Sequence, residues 1–316
     1  MKSLPVILFV VLFPCIAISN TIIGGETEYI VEKGDYIELI SAKLGVSLKA
    51  IVKQNSLDVK KRLLPGQRIK VNTRRIIPMS IENGIIINIP DRTLYLFKNN
   101  TLEIAFPVGL GKSLSRGKAI WRTPEGKFTV IAKEKDPTWY VPESIQLQMD
   151  MADKEILVSV PPGPDNPLGR YAVKTSMPGI MIHETIWPST VYTFSSHGCI
   201  RVYPAHMEKF FEKVEGNIEG EIIYRPVKVE VTKEGRVFLE VHRDAYRKVN
   251  NFNDETRVLI EQYGISNRVD WQKVSMVVEE KSGIAEDVTL FKQDKVPEAR
   301  ASITSIFSRF FKSLTK

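Results

Sequence analysis

Cysteine occurs twice in this chain of 316 residues, as Cys15 and Cys199. The second sits in Ser195-Ser196-His197-Gly198-Cys199-Ile200-Arg201, sixteen residues after His183. A thiol attacks as its thiolate, which needs a base to take the proton or a positive field to hold the charge, and His183 and His197 are placed to supply one. Gly198 has no side chain, so a substrate can approach the backbone closely, and the amides of Gly198 and Cys199 are expected to face a developing oxyanion. The run has the make-up of a nucleophile loop, in which either imidazole serves as base on chemistry alone. His183, His197 and Cys199 are also three donors of the kind a zinc hydrolase uses. Their spacing fits no common zinc motif, however, and Glu184 points away from His183 on an extended segment. No metal and no cofactor is expected.

The ends of the chain say where that thiol works. Met1-Lys2-Ser3 precedes an apolar run from Leu4 to Ile18, and Ala17-Ile18-Ser19 offers small residues for a signal peptidase. The run is short for a membrane span, so residues 1–19 are expected to be a cleaved signal peptide and the mature protein to begin at Asn20, exported. Cys15 leaves with the signal. A single remaining cysteine in an oxidising compartment has no disulfide partner, which argues that it is kept for reactivity. Many free cysteines are small buried hydrophobes, but Ser-His-Gly is not a core sequence. The formal charge of +7 favours an anionic partner such as a membrane or cell wall. Scattered basic residues and export together exclude nucleic acid.

The elements that must hold the loop can be read from pattern. Residues 28–72 give strand, helix, helix, strand: Tyr29-Ile30-Val31, then Ile37, Ile40 and Leu44 at helical spacing up to Gly45. Ser47 caps a second helix through Ile51, and Pro65-Gly66 turns into Arg68 to Val71. Asp35, with Glu38 three residues on, is expected to cap the first helix. Asn72 to Glu82 reads as a polar, basic linker around Arg74-Arg75. Beyond it, Gly84 to Ile89, Thr93 to Phe97, Leu102 to Val108, Lys127 to Ala132, Ile156 to Val160 and Gly179 to Ile182 are strand candidates, with a short helix near Tyr203 to Val214. Such spacing predicts a mainly β, sandwich-like domain. Pro226 to His242 continues the β pattern, and Asp254 to Tyr263 and Trp271 to Lys281 have helical periodicity. In the tail, Ile303, Ile306, Phe307, Phe310, Phe311 and Leu314 share one face, with Arg309, Lys312 and Lys316 around the other. That is a basic amphipathic helix suited to a membrane surface, a protein groove or its own domain.

Two resemblances give these pieces names. Ile182-His183 followed by Ser196-His197-Gly198-Cys199-Ile200-Arg201 resembles the signature of the L,D-transpeptidases of bacterial cell walls. Phe106-Pro107-Val108-Gly109, Thr123-Pro124-Glu125-Gly126-Lys127-Phe128, Pro137-Thr138-Trp139-Tyr140 and Asn166-Pro167-Leu168-Gly169 are similar to further pieces of that domain. Glu184 departs from the family, which usually has a small residue after the upstream histidine. Tyr29-x-Val31-x-x-Gly34-Asp35, Gly45-Val46-Ser47, Asn55 and Leu64-Pro65-Gly66-Gln67 resemble a LysM domain, a family that binds the N-acetylglucosamine-containing glycan of peptidoglycan or chitin. The expected architecture is an α+β multidomain chain: signal peptide 1–19, LysM module 28–72, catalytic domain 80–226, a partly helical C-terminal extension 227–292 and the basic tail 293–316.

The transpeptidase resemblance implies acyl transfer between peptidoglycan stem peptides. Cys199 matches the nucleophile and His183 the general acid/base, and the resemblance, not the spacing, favours His183 over His197. Ser196, His197, Gly198 and Arg201 match motif positions expected to orient the loop, hold the oxyanion or pair with a stem carboxylate. The thiol would attack the third stem residue, release the terminal D-alanine and leave a thioester for an amine to resolve. That amine would come from another stem, a lipoprotein lysine, an outer-membrane protein or a free D-amino acid. Resolution by water would make the protein an L,D-carboxypeptidase, and an inert second domain would make it a non-catalytic wall-binding protein. The implied location is the periplasm or cell envelope. The LysM module is expected to hold glycan without affecting the chemistry.

Overall fold

The computed structural model describes residues 21–113 and 121–291. The expected signal peptide and the whole of the basic tail lie outside the described residues. The N-terminal part contains β1 (Ile22–Ile23), β2 (Glu26–Ile30), α1 (Ile37–Leu44), α2 (Leu48–Asn55), β3 (Arg68–Asn72) and β4 (Arg75–Ile76). β2 and β3 pair antiparallel and both helices pack on them through Val31, Ile40, Val46, Ile51, Ile69 and Val71. Gly45 ends α1 at φ +65°, and Ser47 Oγ accepts the Ala50 amide to open α2, as the sequence suggests. Asp35 does not cap α1, whose first residue follows Tyr36 without a side-chain cap. Its carboxylate is instead taken by the Tyr29 hydroxyl (2.6 Å), the Glu32 amide (2.9 Å) and the Lys43 ammonium (2.8 Å). Those three donors, one of them charged, outcompete an N-terminal amide.

The next stretch holds β5 (Gly84–Asn88), β6 (Thr93–Lys98), β7 (Thr101–Gly111), β8 (Gly126–Lys135), β9 (Trp139–Tyr140), α3 (Glu143–Asp150), β10 (Ser159–Val160), β11 (Tyr171–Thr175), β12 (Met181–Glu184), β13 (Phe194–Ser196), β14 (Ile200–Val202), α4 (Pro204–Lys213) and β15 (Glu219–Ile223). A nine-stranded sheet runs β13-β7-β14-β12-β11-β8-β15-β5-β6, and β6 pairs back on β7. The two walls of the expected sandwich are thereby joined into a barrel-like sheet. The length of β7 explains the closure: Thr101 to Pro107 pair with β6, while Val108 and Gly109 pair with β14. Ile85, Ile87, Leu94, Leu96, Val108 and Leu110 point into the core with Met207 and Phe210 of α4. Ile86, Tyr95 and Phe97 pack on the outside with Ile77, which is why these strands read as continuous apolar runs. Of Ile156 to Val160, only Ser159 and Val160 pair, with β9.

The described chain ends with β16 (Val227–Val231), β17 (Val237–Val241), α5 (Phe252–Gln262), α6 (Trp271–Glu280) and β18 (Glu286–Asp287), built round a separate apolar cluster that includes Val229, Leu239, Ile260 and Val277. Among the described residues no helix is long and apolar enough to cross a membrane.

The stretch read as a linker is a structured strap. β4 pairs with β1, and the Arg75 guanidinium donates to Thr93 Oγ1 (2.7 Å) and to the Gly45 carbonyl (3.1 Å) at the end of α1. Next to it, Lys228 Nζ lies 2.9 Å from Asp91, 2.7 Å from Glu240 and 2.7 Å from the Ile76 carbonyl. Asp91, Glu240 and His242 are the group among the described residues whose ligand atoms converge as a metal site's would, but the Lys228 ammonium already supplies the positive charge there. Burial alone would raise the Glu240 carboxyl; Lys228 and His242 beside it hold it down at about 2. Replacing one partner of such a cluster strands the other charges. Lys228→Met is therefore expected to destabilise the protein by about 3–5 kcal/mol in urea unfolding. A loss below about 1 kcal/mol, the range of exposed pairs, would show that the cluster does not brace the junction.

Candidate active site

β12 and β14 lie side by side and parallel, with Ile182 opposite Ile200 and His183 opposite Arg201. This register places the two sequence motifs together: His183 on one strand and Cys199 at the entrance to the other, beside Met181. The Met181 amide donates to the Cys199 sulfur, and the thiol lies 3.3 Å from the Gly179 carbonyl. Both side chains line a cleft of about 680 Å³ together with Ser196, His197 and Arg201.

The loop between β13 and β14 is held by its own serine. Ser196 Oγ accepts the Gly198 amide (3.1 Å) and donates to the Cys199 carbonyl (2.6 Å). Gly198 has φ +116°, a region that side-chain-bearing residues rarely enter, and a Cβ there would stand 3.2 Å from Ile180 Cδ1. The sequence suggests that both the Gly198 and Cys199 amides face an oxyanion; the Gly198 amide is instead spent inside the turn, because the serine two residues earlier reaches it first.

His183 is buried, and its Nδ1 lies 2.6 Å from the Glu184 carbonyl. A carbonyl oxygen can only accept, so Nδ1 carries the proton and Nε2 keeps its lone pair. Burial lowers the imidazole to about 4, outweighing that hydrogen bond, and the Arg201 charge lowers it further. His197 is also lowered to about 4, first by burial and then by Lys112 and Arg201. Its ring packs against Trp121 at 4.2 Å between centroids, and its Nε2 is 3.4 Å from Gln148 Oε1 of α3. Burial pushes the Cys199 thiol up, with the Met181 amide and Arg201 opposing. At neutral pH the pair thus rests as thiol and neutral imidazole. Arg201 has no ion-pair partner among the described residues; its guanidinium lies over the Trp187 ring at 5.6 Å.

A base that must be neutral fixes the pH dependence. As pH falls, a steady-state rate that needs the His183 lone pair is expected to drop with a midpoint near 4, well below the ordinary imidazole value of 6.5. Alkylation of the free thiol is expected to rise only above the ordinary thiol value of 9.0. An acid limb at the ordinary imidazole value in the pH profile of kcat/KM would contradict this arrangement.

Glu184 projects away from the cleft. Its side chain packs where a Cβ on Gly169 would sit, 2.6 Å from Glu184 Cβ, and burial raises its carboxyl while the Arg170 amide donates to it. The glutamate therefore occupies the packing space that Gly169 leaves, and its departure from the usual small residue changes the back of the strand. Asn166, fully buried, donates to the Pro137, Val160 and Pro161 carbonyls and so fastens the β9–α3–β10 segment over the cleft. Trp121, Gln148 and Trp187 meet the motif residues without belonging to any spacing that would flag them; only their type, aromatic or amide, was visible in the sequence.

Both the N-terminal module and the sheet domain that carries the cleft match known protein families. A family model described as the L,D-transpeptidase catalytic domain, YkuD, matches residues 82–260, and a LysM domain model matches residues 29–72. The chain is 28% identical over 265 residues to the probable L,D-transpeptidase ErfK/SrfK of Salmonella typhimurium, covering 80% of this chain and 82% of that one. It is 25% identical over 281 residues to the probable L,D-transpeptidase YcfS of Escherichia coli, covering 85% of each. Among solved structures, an Enterococcus faecium L,D-transpeptidase mutant aligns with a TM-score of 0.33 at 18% identity, over 45% of this chain and 50% of that one. Mycobacterium tuberculosis L,D-transpeptidase 1 aligns with a TM-score of 0.31 at 22% identity, over 44% of this chain and 60% of that one. The chain thus spans about half to three-fifths of those two structures.

Proposed function

From the premise that the chain belongs to the YkuD L,D-transpeptidase family and carries a LysM domain before its catalytic domain, we propose that Cys199 is the nucleophile of an acyl transfer on peptidoglycan stem peptides, with His183 as its general acid/base. The observation that carries this is the pairing of β12 with β14, which sets the His183 imidazole, bare at Nε2, and the Cys199 thiol in one cleft.

The thiol proton passes to His183 Nε2 as Sγ attacks the carbonyl of the third stem residue, so a charged pair is needed only in the transition state. The oxyanion faces the Cys199 amide. When the intermediate collapses, the carbon–nitrogen bond breaks, the imidazolium returns its proton to the departing D-alanine amine, and the acyl group remains as a thioester. An acceptor amine then attacks, giving its proton to the same nitrogen and regenerating the thiol. Arg201, over Trp187 and without an ion-pair partner among the described residues, is suited to a stem carboxylate. His197 orients the loop through Trp121 and Gln148. Water is the competing acceptor, and the amine wins only where the site orients it.

A LysM domain implies peptidoglycan binding, and a wall substrate implies an extracytoplasmic location. The acceptor remains among another stem, a lipoprotein lysine, an outer-membrane protein and a D-amino acid. The basic tail is proposed as a further membrane contact. Incubating the protein with purified tetrapeptide muropeptides and separating the products by liquid chromatography and mass spectrometry tests the reading. D-alanine release with cross-linked dimers is expected. Tripeptide carrying oxygen from labelled water, without dimers, would make the protein a carboxypeptidase, and unchanged substrate would leave a wall-binding protein.

A further inference from the structure

Past the last strand of the barrel-like sheet, and after β17, the chain folds back into the catalytic domain. Asp244 arranges the return: its carboxylate accepts the Tyr224 hydroxyl (2.5 Å) and the amides of Lys248 (2.9 Å) and Val249 (2.7 Å). The Tyr224 oxygen in turn accepts the Tyr246 amide at 3.0 Å. Tyr246 is thereby driven into the core, 2% exposed. Its hydroxyl donates to the Gly111 carbonyl (2.9 Å) and accepts the Thr123 amide (3.0 Å). Thr123 Oγ1 accepts the Gly111 amide (2.9 Å) and donates to the Gly198 carbonyl (2.8 Å). Each donor and acceptor along this path is used, so the hydroxyls have no freedom to rotate elsewhere.

The far end of the path is the peptide joining Gly198 to Cys199. A trans peptide is planar, and its carbonyl and amide point in opposite directions. Pinning the Gly198 carbonyl inward on Thr123 therefore fixes the direction of the Cys199 amide, the donor left to an oxyanion once Ser196 has taken the Gly198 amide. We infer that Tyr246, acting through Thr123, is a positioning residue for the oxyanion donor of this site. The inference rests on the acyl-transfer reading above. It also gives a role to the segment after β17, which lies within the stretch matched by the catalytic-domain family model.

The test is a set of variants in the full chain, assayed with a soluble stem tetrapeptide. Tyr246→Phe keeps the ring and removes both hydroxyl bonds; Thr123→Val keeps the shape and removes the side-chain bonds. Each is expected to lower kcat by about 10–100-fold with KM nearly unchanged, misorientation of one donor falling short of the ~10²–10³-fold loss on deleting it. Because the two act on one peptide, the double variant should be little worse than the poorer single one. Thr123→Ser, which keeps the hydroxyl, should retain kcat. Alkylation of Cys199 by iodoacetamide forms no oxyanion, so its rate should stay at the wild-type value in every variant. Losses that multiply in the double variant, or alkylation that falls in step with turnover, would overturn the inference in favour of a purely structural role. Wild-type kcat in Tyr246→Phe would also overturn it. Cys199→Ala separates the two levels: an active alanine variant sinks the nucleophile reading itself, whereas a dead one beside a fully active Tyr246→Phe sinks only the positioning role.

Discussion

Cys199→Ala is expected to abolish both D-alanine release and cross-linking while leaving the melting temperature within a few degrees of the parent. The thiol is half-buried at the cleft, and its truncation removes little packing. The loop is held by Ser196 through the backbone, and Thr123 holds the Gly198 carbonyl, so neither depends on the sulfur. The mechanism loses the atom that forms the intermediate, and Ser196 does not replace it, because its Oγ is already bonded on both sides. Analysis of muropeptide products sets the outcome, and unchanged products would mean that the chemistry runs elsewhere. EDTA is expected to leave the parent unaffected; activity lost to it and restored by zinc would revive a metal site. By family resemblance, carbapenems are expected to add mass at Cys199 in the parent and not in the alanine variant.

His183→Ala carries the second largest effect, a loss of about 10²–10⁴-fold in kcat, the usual contribution of a general base. Its imidazole is lowered to about 4 by burial and its Nδ1 is engaged by the Glu184 carbonyl, so a neutral ring with one free nitrogen is built in. His197→Ala is expected to cost about tenfold or less, the smaller effect of misplacing a loop compared with removing a base. Single-turnover rates on the same tetrapeptide check both. Equal losses from the two alanines, or a larger loss at His197, would reassign the base.

The parts of this arrangement legible in the sequence are those made by near neighbours along the chain. Gly45, Ser47 and the apolar positions of residues 28–72 act over one or two helical turns, and so they predict their elements. The Ser196 to Arg201 run is a single turn whose residue types are those that its geometry demands. What stayed hidden depends on distant strands. A period of two in Val227-Lys228-Val229-Glu230-Val231 assigns Lys228 to solvent, yet it is 4% exposed, because Asp91 and Glu240 arrive from elsewhere to neutralise it. α3 has no buried residue, so no apolar period announces it. Arg75 looks like linker charge until Gly45 and Thr93 are brought to it. The LysM module, expected to be joined to the catalytic domain through a linker, is also in direct contact with it, Gly45 standing against Pro107. Tyr246 meets Thr123 across 123 positions of sequence, a distance over which pattern carries nothing.

The central claim is a covalent thioester on Cys199, and intact-protein mass spectrometry on the enzyme mixed with a tetrapeptide donor and no acceptor amine tests it most directly. The account predicts an adduct of the donor's mass less D-alanine, located by peptide mapping to the segment containing Cys199, absent from Cys199→Ala and discharged when an acceptor amine is added. D-alanine released by the parent with no adduct trapped on rapid acid quench, or an adduct mapped to any other residue, would contradict it.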